Sequence, residues 1–486
     1  MIIKIGHIIG YILIFLGISE FIPILASLTF DEYYLILPFL ICSLLTIFIG
    51  LGFYFAFPDR QEKPNRYDII SFLVISWIII PIFGSIPFMV SGELTKFTDA
   101  YFEATSAFTT SGSTLLANSS LAPKTLLFWR ALLQWFGGIY IFVLAVSIVP
   151  LSAIGGAELY RGAFPHGERE GFLSRIKAAL KPLSLIYVGF TLLCLILLRL
   201  SGLSFFDAMV TSMASLSSGG FTNHSNFGVN SFNNISEFIL VPFMLIGATN
   251  LTYHWLFLTR GKFKVYKNDR ELKYLISLVF ISALIIFVII SGSEGLGNAS
   301  ILKKVGVSIF TAASAMSTTG FLPDGANSMP LGVVIICAIL LCFGGSMGSS
   351  AGGFKIIRFR VLFRQAVNEI SRLAYPHGVV PMRVNDFIVS SSILVSIWTL
   401  LFLYLSSIGL FSILYGMLGY DMEVSIGLTF ANLFSAGSMT GLIAQDFLGY
   451  GGMSYAAKWL TSGIMILGRL EIIALLIFLS PSYRKK

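Results

Sequence analysis

The sequence predicts an all-α polytopic membrane protein with four tandem span–pore-helix–span repeats around one pore, plus an N-terminal pair of spans. Three observations predict it: the composition, the recurrence of long apolar stretches, and four matching runs of small residues between spans. Of the 486 residues, 56% are hydrophobic and only 12% are charged, and the mean hydropathy is +0.85. Because soluble domains carry about a quarter charged residues, the composition excludes a water-soluble globule.

Apolar stretches long enough to cross a bilayer recur along the whole chain. The first has only Lys4 ahead of it and no small-residue cleavage site, so we interpret it as a span and not as a signal peptide. We expect spans at residues 5–28, 35–57, 68–91, 125–150, 180–200, 236–258, 273–291, 330–367 (interrupted), 385–410 and 457–480.

Most Lys and Arg residues lie in alternate connections between these spans. Short loops rich in Lys and Arg remain on the cytoplasmic side, so we expect both termini in the cytoplasm. The net charge of +8 is then a topological signal and does not indicate a nucleic-acid partner. The basic segments are 58–67, 155–182, 259–273, 355–383 and 481–486.

Four outward-facing connections each contain a helix-like segment followed by a run of small hydroxyl residues and glycine. The runs read SAFTTSG, ASLSSGG, SAMSTTG and SAGSMTG, at 106–112, 214–220, 314–320 and 435–441. In the first two repeats, Asp99 and Asp207 stand at the same distance before the final glycine, where we expect an acidic cap of the short helix. The repeat divides the chain into an N-terminal pair of spans (1–60) and repeats at 61–160, 161–262, 263–372 and 373–486.

The composition of these runs favours an ion pathway. Non-helical backbone at membrane depth is tolerated only where protein buries it or where it lines water or an ion path. Four loops meeting on one axis would supply rings of carbonyl oxygens that replace the hydration shell of K⁺. Glycine allows the backbone angles this requires, and the preceding short helices would direct their negative ends at the ion. The alternative, small-residue patches for helix packing, explains one run better than four in register.

These residues resemble the superfamily of Trk, Ktr and HKT potassium transporters over nearly the whole chain. The most specific parts, besides the four runs, are the following: Trp135-Phe136-Gly137-Gly138, Glu158-Leu159-Tyr160-Arg161, the glycine-rich segment 344–353 and Gly468-Arg469-Leu470-Glu471. The additional N-terminal pair of spans is similar to the Trk branch.

The resemblance implies K⁺ uptake through a complete pore in each chain, pairing of chains as a homodimer, and regulation by a cytoplasmic nucleotide-binding ring protein. It implies no enzymatic activity, and K⁺ is the transported ion rather than a cofactor; no organic cofactor is expected in this chain. A Na⁺-permeable channel or an H⁺- or Na⁺-coupled symporter of the same superfamily is the alternative. The resemblance also implies a selectivity filter, whose residues are the expected K⁺ ligands. They are Thr110, Ser111, Gly112, Ser113, Ser218, Gly219, Gly220, Phe221, Thr318, Thr319, Gly320, Phe321, Met439, Thr440, Gly441 and Leu442.

The segment 344–353 interrupts a span with residues that do not hold a regular helix. We expect a flexible loop beneath the filter, and the family places a gating loop there. Arg469 lies near the middle of the last predicted span, where a charge needs a partner. We expect carbonyls of the glycine-rich segment to be that partner, with Glu471 as the competing one. The gate residues are Gly344, Gly345, Gly348, Gly352, Gly353 and Arg469.

Overall fold

The computed structural model describes most of the chain, and all statements below concern the described residues. These are 2–57, 66–116, 122–148, 172–223, 234–261, 266–267, 269–293, 299–323, 326, 329–374, 383–384, 387–444 and 446–470. The motif 158–161, Glu471 and most of the basic segment 155–182 lie outside them.

Long apolar helices dominate the described part of the chain, which confirms a helical polytopic membrane protein. Seven are long and apolar enough to cross a membrane, and a bent pair makes up to eight. The predicted spans at 330–367 and 457–480 are not among the seven. Helix Leu331–Phe343 is shorter than a span, and the described part of the last helix ends at Leu470. The seven are Ile5–Thr29, Tyr33–Ala56, Tyr67–Val90, Lys124–Leu144, Ala178–Leu200, Arg270–Ser291 and Ser391–Met417.

The N-terminal pair packs as a hairpin through glycines. A Cβ at Gly10 would lie 2.6 Å from Tyr54 N, and one at Gly50 would lie 2.8 Å from Ile14 N. Small residues therefore let the two backbones approach closely, as is common between membrane helices. The first helix breaks at Glu20, between helices Ile2–Ser19 and Phe21–Thr29.

Short helices follow a span in each of the four repeats, at Phe97–Phe108, Phe205–Ser217, Ile301–Met316 and Met422–Leu433. Ser204 and Ser300 cap the second and third, accepting from the backbone N–H of Asp207 and Lys303. The expectation that Asp99 and Asp207 are the caps was wrong. Both lie in the first helical turn, where a carboxylate still favours the positive helix end.

The span predicted at 236–258 is broken. Helices Asn234–Gly247 and Leu251–Arg260 meet at a 95° bend. Asn250 caps the second half by accepting from Thr252 N at 2.9 Å. The carbonyl of Ala248, which the break frees, accepts from Ser346 N at 2.8 Å. The glycine-rich segment therefore supplies the hydrogen-bond donor that the broken helix lacks. Hydropathy alone does not reveal such a break, because both halves are apolar.

The span predicted at 385–410 lies further towards the C-terminus in the structure. Strands Arg383–Val384 and Phe387–Ile388 pair antiparallel, and the helix runs from Ser391 to Met417. The two-residue strands are also a small exception to the all-α prediction. In the interrupted region, helices Leu331–Phe343 and Ile356–Ala374 flank the glycine-rich segment.

Three of the four short helices end against a glycine of a neighbouring span. A Cβ at Gly137 would come within 3.0 Å of Phe108 O, one at Gly247 would lie 2.8 Å from Leu216 O, and one at Gly468 would come within 3.0 Å of Leu433. A side chain at these positions would push the helix ends apart. The glycines in the motifs 135–138 and 468–471 therefore position the ends of the first and fourth short helices.

Candidate functional site

The four short helices lead into loops whose first residues share one backbone course: loop 1 (109–113), loop 2 (218–222), loop 3 (317–321) and loop 4 (434–438). In each, a hydroxyl residue adopts positive φ, a strained conformation for a residue other than glycine. The backbone N–H of the residue after it donates to the carbonyl oxygen of the helix residue five positions before the donor, at 2.8–3.0 Å. The hydroxyl residues are Thr110 (φ 52°), Ser218 (φ 55°), Thr318 (φ 53°) and Ser435 (φ 57°).

This shared course defines the register of the repeats. Two residues after the strained hydroxyl come Gly112 (φ 78°), Gly220 (φ 70°) and Gly320 (φ 81°). By the same count the fourth glycine is Gly437, and Gly441 is not its equivalent.

The sequence alignment of the fourth run was therefore wrong by four residues. It matched Ser435-Ala436 to Ser106-Ala107, whereas the backbone places Ser435 opposite Thr110. Met439 ends the 3-10 helix Gly437–Met439, and Thr440, Gly441 and Leu442 lie in the helical turn Thr440–Ile443. The helical backbone begins at Gly437 itself, which lacks the positive φ of the other three ring glycines, so loop 4 follows the course of the other loops only as far as Ala436.

The glycines bring the four loops into a closed ring of contacts. A Cβ added to any one of them would come within 3.0 Å of the next loop, closer than real side chains approach. Gly112 faces Gly219 O, Gly220 faces Thr319 O, Gly320 faces Ser438 Oγ, and Gly437 faces Ser113 Oγ. The cyclic order 1–2–3–4–1 places the loops around one axis.

A cavity of about 250 Å³ adjoins this ring. Loops 1, 2 and 4 contribute Gly112, Gly220 and Gly437, and the turn 447–452 covers one side. Gly441 also lines it, although it lies outside the ring.

Arg469 lies behind loop 1. Its Nε donates to Thr109 O at 2.6 Å, its Nη1 to Ser350 O at 2.6 Å, and its Nη2 contacts the Thr110 hydroxyl. One guanidinium thus bridges a loop of the ring and the glycine-rich segment. Carbonyl and hydroxyl oxygens provide its acceptors in a region where a buried charge without them would be costly.

The glycine-rich segment 344–353 packs against the back of loops 2 and 3. Ser350 Oγ lies 2.8 Å from Ser218 Oγ and 3.0 Å from Gly247 O, and Gly352 N donates to Thr318 Oγ1 at 2.7 Å. Gly344, Gly348 and Gly353 have positive φ. Among the described residues, Ser435 Oγ has no hydrogen-bond partner.

Glu103 of the first short helix pairs with Arg130, a residue that the sequence analysis did not identify. The two fully buried side chains form an ion pair at 3.2 Å. Glu103 also accepts from Thr114 Oγ1 at 2.7 Å and Leu115 N at 2.8 Å, so the pair anchors the chain leaving loop 1. Arg130 Nη2 donates to Thr222 O, which extends the brace to loop 2. The position of Arg130 inside an apolar span is the sequence signal that could have identified it.

Comparison with known proteins agrees with this architecture. The family of TrkH cation transport proteins matches residues 37–485. The chain belongs to the TrkH family. It is 31% identical to the Trk system potassium uptake protein TrkH of Escherichia coli K12, over 90% of this chain and 91% of that protein. It is 32% identical to an uncharacterized cation transporter of Methanocaldococcus jannaschii, over 99% and 95%.

A solved structure is similar over the full length. The potassium transporter TrkH from Vibrio parahaemolyticus superposes with a TM-score of 0.90 at 28% identity, covering 99% of both chains. The resemblance to the Trk branch is thereby confirmed, as is membership of a transport family and not an enzyme family.

Proposed function

We propose that this TrkH-family protein takes up K⁺ across the bacterial cytoplasmic membrane through the ring formed by loops 1–4. The observation that supports this most is the closed ring itself, in which four loops that begin with the same strained turn meet through Gly112, Gly220, Gly320 and Gly437. Relatives with similar full-length chains are named potassium uptake proteins.

Backbone oxygens supply the proposed ion ligands. The short helices end at this ring, so their negative ends favour a cation there. K⁺ selectivity requires carbonyl oxygens held at fixed positions, and the glycines allow loops to approach without side chains between them. The proposed filter comprises Thr110, Ser111, Gly112, Ser113, Ser218, Gly219, Gly220, Phe221, Thr318, Thr319, Gly320, Phe321, Ser435, Ala436, Gly437 and Ser438, the last four replacing Met439, Thr440, Gly441 and Leu442.

The glycine-rich segment and Arg469 form the proposed gate. Arg469 and Ser350 hold the segment against loops 1 and 2, and Gly352 holds it against loop 3. Opening requires these contacts to break. The free energy comes from a regulator that binds the open state more tightly than the closed state. The gate residues remain Gly344, Gly345, Gly348, Gly352, Gly353 and Arg469.

The proposed partners are a second copy of this chain and a cytoplasmic nucleotide-binding ring protein. The resemblance supports both, and the basic segments expected on the cytoplasmic side support the ring protein. Helix Ile356–Ala374 carries one such segment and exposes Phe363, Ile370 and Leu373. Charge reversal at Arg364 and Arg372 is expected to weaken binding of the ring protein; variants that insert normally and bind it unchanged would exclude this helix.

Growth and flux measurements test the proposed function. The chain is expected to restore growth of a K⁺-uptake-deficient bacterium at low external K⁺, and purified protein in liposomes should pass K⁺ in preference to Na⁺. Equal K⁺ and Na⁺ flux would refute a K⁺-selective ring. Reversal potentials under an imposed H⁺ gradient separate a K⁺ channel, which keeps the K⁺ equilibrium potential, from an H⁺-coupled symporter, which does not. Under an imposed Na⁺ gradient, a shift indicates either Na⁺ permeation or Na⁺ coupling, and only coupling makes K⁺ flux depend on Na⁺.

A further inference from the structure

Loop 4 differs from the other loops in what holds it. The chain turns back after it, and Tyr450 places its buried hydroxyl 3.0 Å from Gly437 O, the carbonyl of the ring glycine. The same hydroxyl lies 2.6 Å from Thr440 Oγ1 and accepts from Asn432 Nδ2 at 3.2 Å. A side chain from the turn 447–452 therefore contacts the ring carbonyl of loop 4.

Asn432 connects this hydroxyl to loop 1. Its Oδ1 accepts from Ser113 Oγ at 2.7 Å and from Ser111 Oγ at 3.3 Å, and its Nδ2 also donates to Leu428 O at 2.8 Å. Because a carbonyl such as Leu428 O accepts only, the amide nitrogen must face it, and Oδ1 must face the serines. The shared register places Ala107, Ser215 and Ala315 at this position in the other repeats, so the amide is particular to repeat 4.

The contacts between loops show why the junction of loops 4 and 1 needs such a support. Loops 1 and 2, and loops 2 and 3, meet through the backbone carbonyls of Gly219 and Thr319. Loop 3 meets loop 4 through the Ser438 hydroxyl, which donates to Thr319 O at 3.5 Å. Loop 4 meets loop 1 through the Ser113 and Ser111 hydroxyls, which would rotate freely without an acceptor. Asn432 is that acceptor, and Tyr450 fixes both the Asn432 amide and Gly437 O.

We propose that Asn432 and Tyr450 are positioning residues that set cation selectivity by fixing loop 4 against loop 1. This rests on the proposed function of the ring. Neither side chain needs to touch the ion: they act through Gly437 O, Ser111 and Ser113. When the support is removed, Gly437 O gains freedom to move towards a smaller ion, and discrimination against Na⁺ decreases.

Tyr450→Phe tests this, since it removes only the hydroxyl. In liposomes, the K⁺-to-Na⁺ permeability ratio is expected to fall about fivefold, equivalent to about 1 kcal/mol at 1.4 kcal/mol per tenfold. K⁺ flux per inserted protein should be retained. The matched control is Tyr415→Phe, a buried tyrosine of the same repeat whose hydroxyl lies 2.5 Å from Thr461 Oγ1. The control should leave the ratio unchanged.

Asn432→Ala supplies the second variant, because alanine already occupies the equivalent position in repeats 1 and 3. It should lower the ratio at least as far, and adding Tyr450→Phe to it should lower the ratio little further, since the two residues act in one chain of bonds. A K⁺-selective parent whose ratio survives both single changes would overturn this inference alone. A decrease shared by Tyr415→Phe would also overturn it. A parent without K⁺ selectivity would overturn the proposed function and this inference with it.

Discussion

Arg469 donates to the carbonyl oxygen of Ser350 at 2.6 Å, and the same guanidinium donates to Thr109 O at 2.6 Å. The charge in the last described helix therefore contacts the segment that the sequence indicated as its partner, and also loop 1, which the sequence did not indicate. A single side chain links the proposed gate to the proposed filter.

Replacement of Arg469 by Gln is expected to raise basal K⁺ flux about tenfold, because the glycine-rich segment loses an anchor of about 1.4 kcal/mol. If Arg469 contacted only the glycine-rich segment, selectivity would not change. Because Arg469 also holds Thr109 O, we expect in addition a lower K⁺-to-Na⁺ permeability ratio. Tracer flux and reversal potentials in liposomes measure the two effects separately.

Arg469→Lys is the companion variant, which keeps the charge but not the planar fork of donors. It should give an intermediate flux. A normally inserted Gln variant that conducts no more than the parent would place the gate elsewhere.

Gly437→Ala tests the corrected register of the fourth repeat. A Cβ there would come within 3.0 Å of Ser113 Oγ and 2.8 Å of Asn432 Oδ1, so loop 4 must move away from loop 1. We expect at least a tenfold lower K⁺-to-Na⁺ permeability ratio, from about 1.4 kcal/mol of lost discrimination. The matched control is Gly441→Ala in the helical turn Thr440–Ile443, where alanine is favoured over glycine.

The original alignment makes the opposite prediction for this pair. If Gly441→Ala abolished selectivity and Gly437→Ala did not, the register from backbone geometry would be wrong. Gly112→Ser serves as the reference in loop 1, where both registers predict a relaxed K⁺-to-Na⁺ ratio.

Periodicity and composition predicted the helical membrane class and the first three loops, because hydrophobic length and small-residue runs are local signals. The fourth loop was misaligned because Ser435-Ala436 repeats the start of the first run by coincidence, and only the positive φ of Ser435 resolves it. The 95° bend before Asn250 was missed for a related reason. Its freed carbonyl finds a donor in Ser346, far along the chain, and no local pattern reports such a contact.

Glu103→Gln is expected to destabilise the protein by about 3 kcal/mol, because it leaves the guanidinium of Arg130 buried without a countercharge. The midpoint of thermal unfolding in detergent should fall accordingly. The control is Glu369→Gln, which breaks an exposed pair with Arg372 at 2.9 Å and should change stability little. Equal effects of the two changes would show that the buried pair does not support loop 1.

Ser350→Ala tests the contact between the glycine-rich segment and loop 2. The Ser350 hydroxyl lies 2.8 Å from Ser218 Oγ and donates to Gly247 O at 3.0 Å, so its removal loosens the segment at the break of the second repeat. We expect basal K⁺ flux to rise about fivefold, for about 1 kcal/mol of lost hydrogen bonding. The adjacent Ser349→Ala is the matched control, because its hydroxyl donates within the segment, to Ser346 O at 2.7 Å. Both variants change one hydroxyl in the same segment, so a rise in flux specific to Ser350 identifies the contact with loop 2 as part of the closed state. Equal flux in both variants would mean that this contact does not hold the gate.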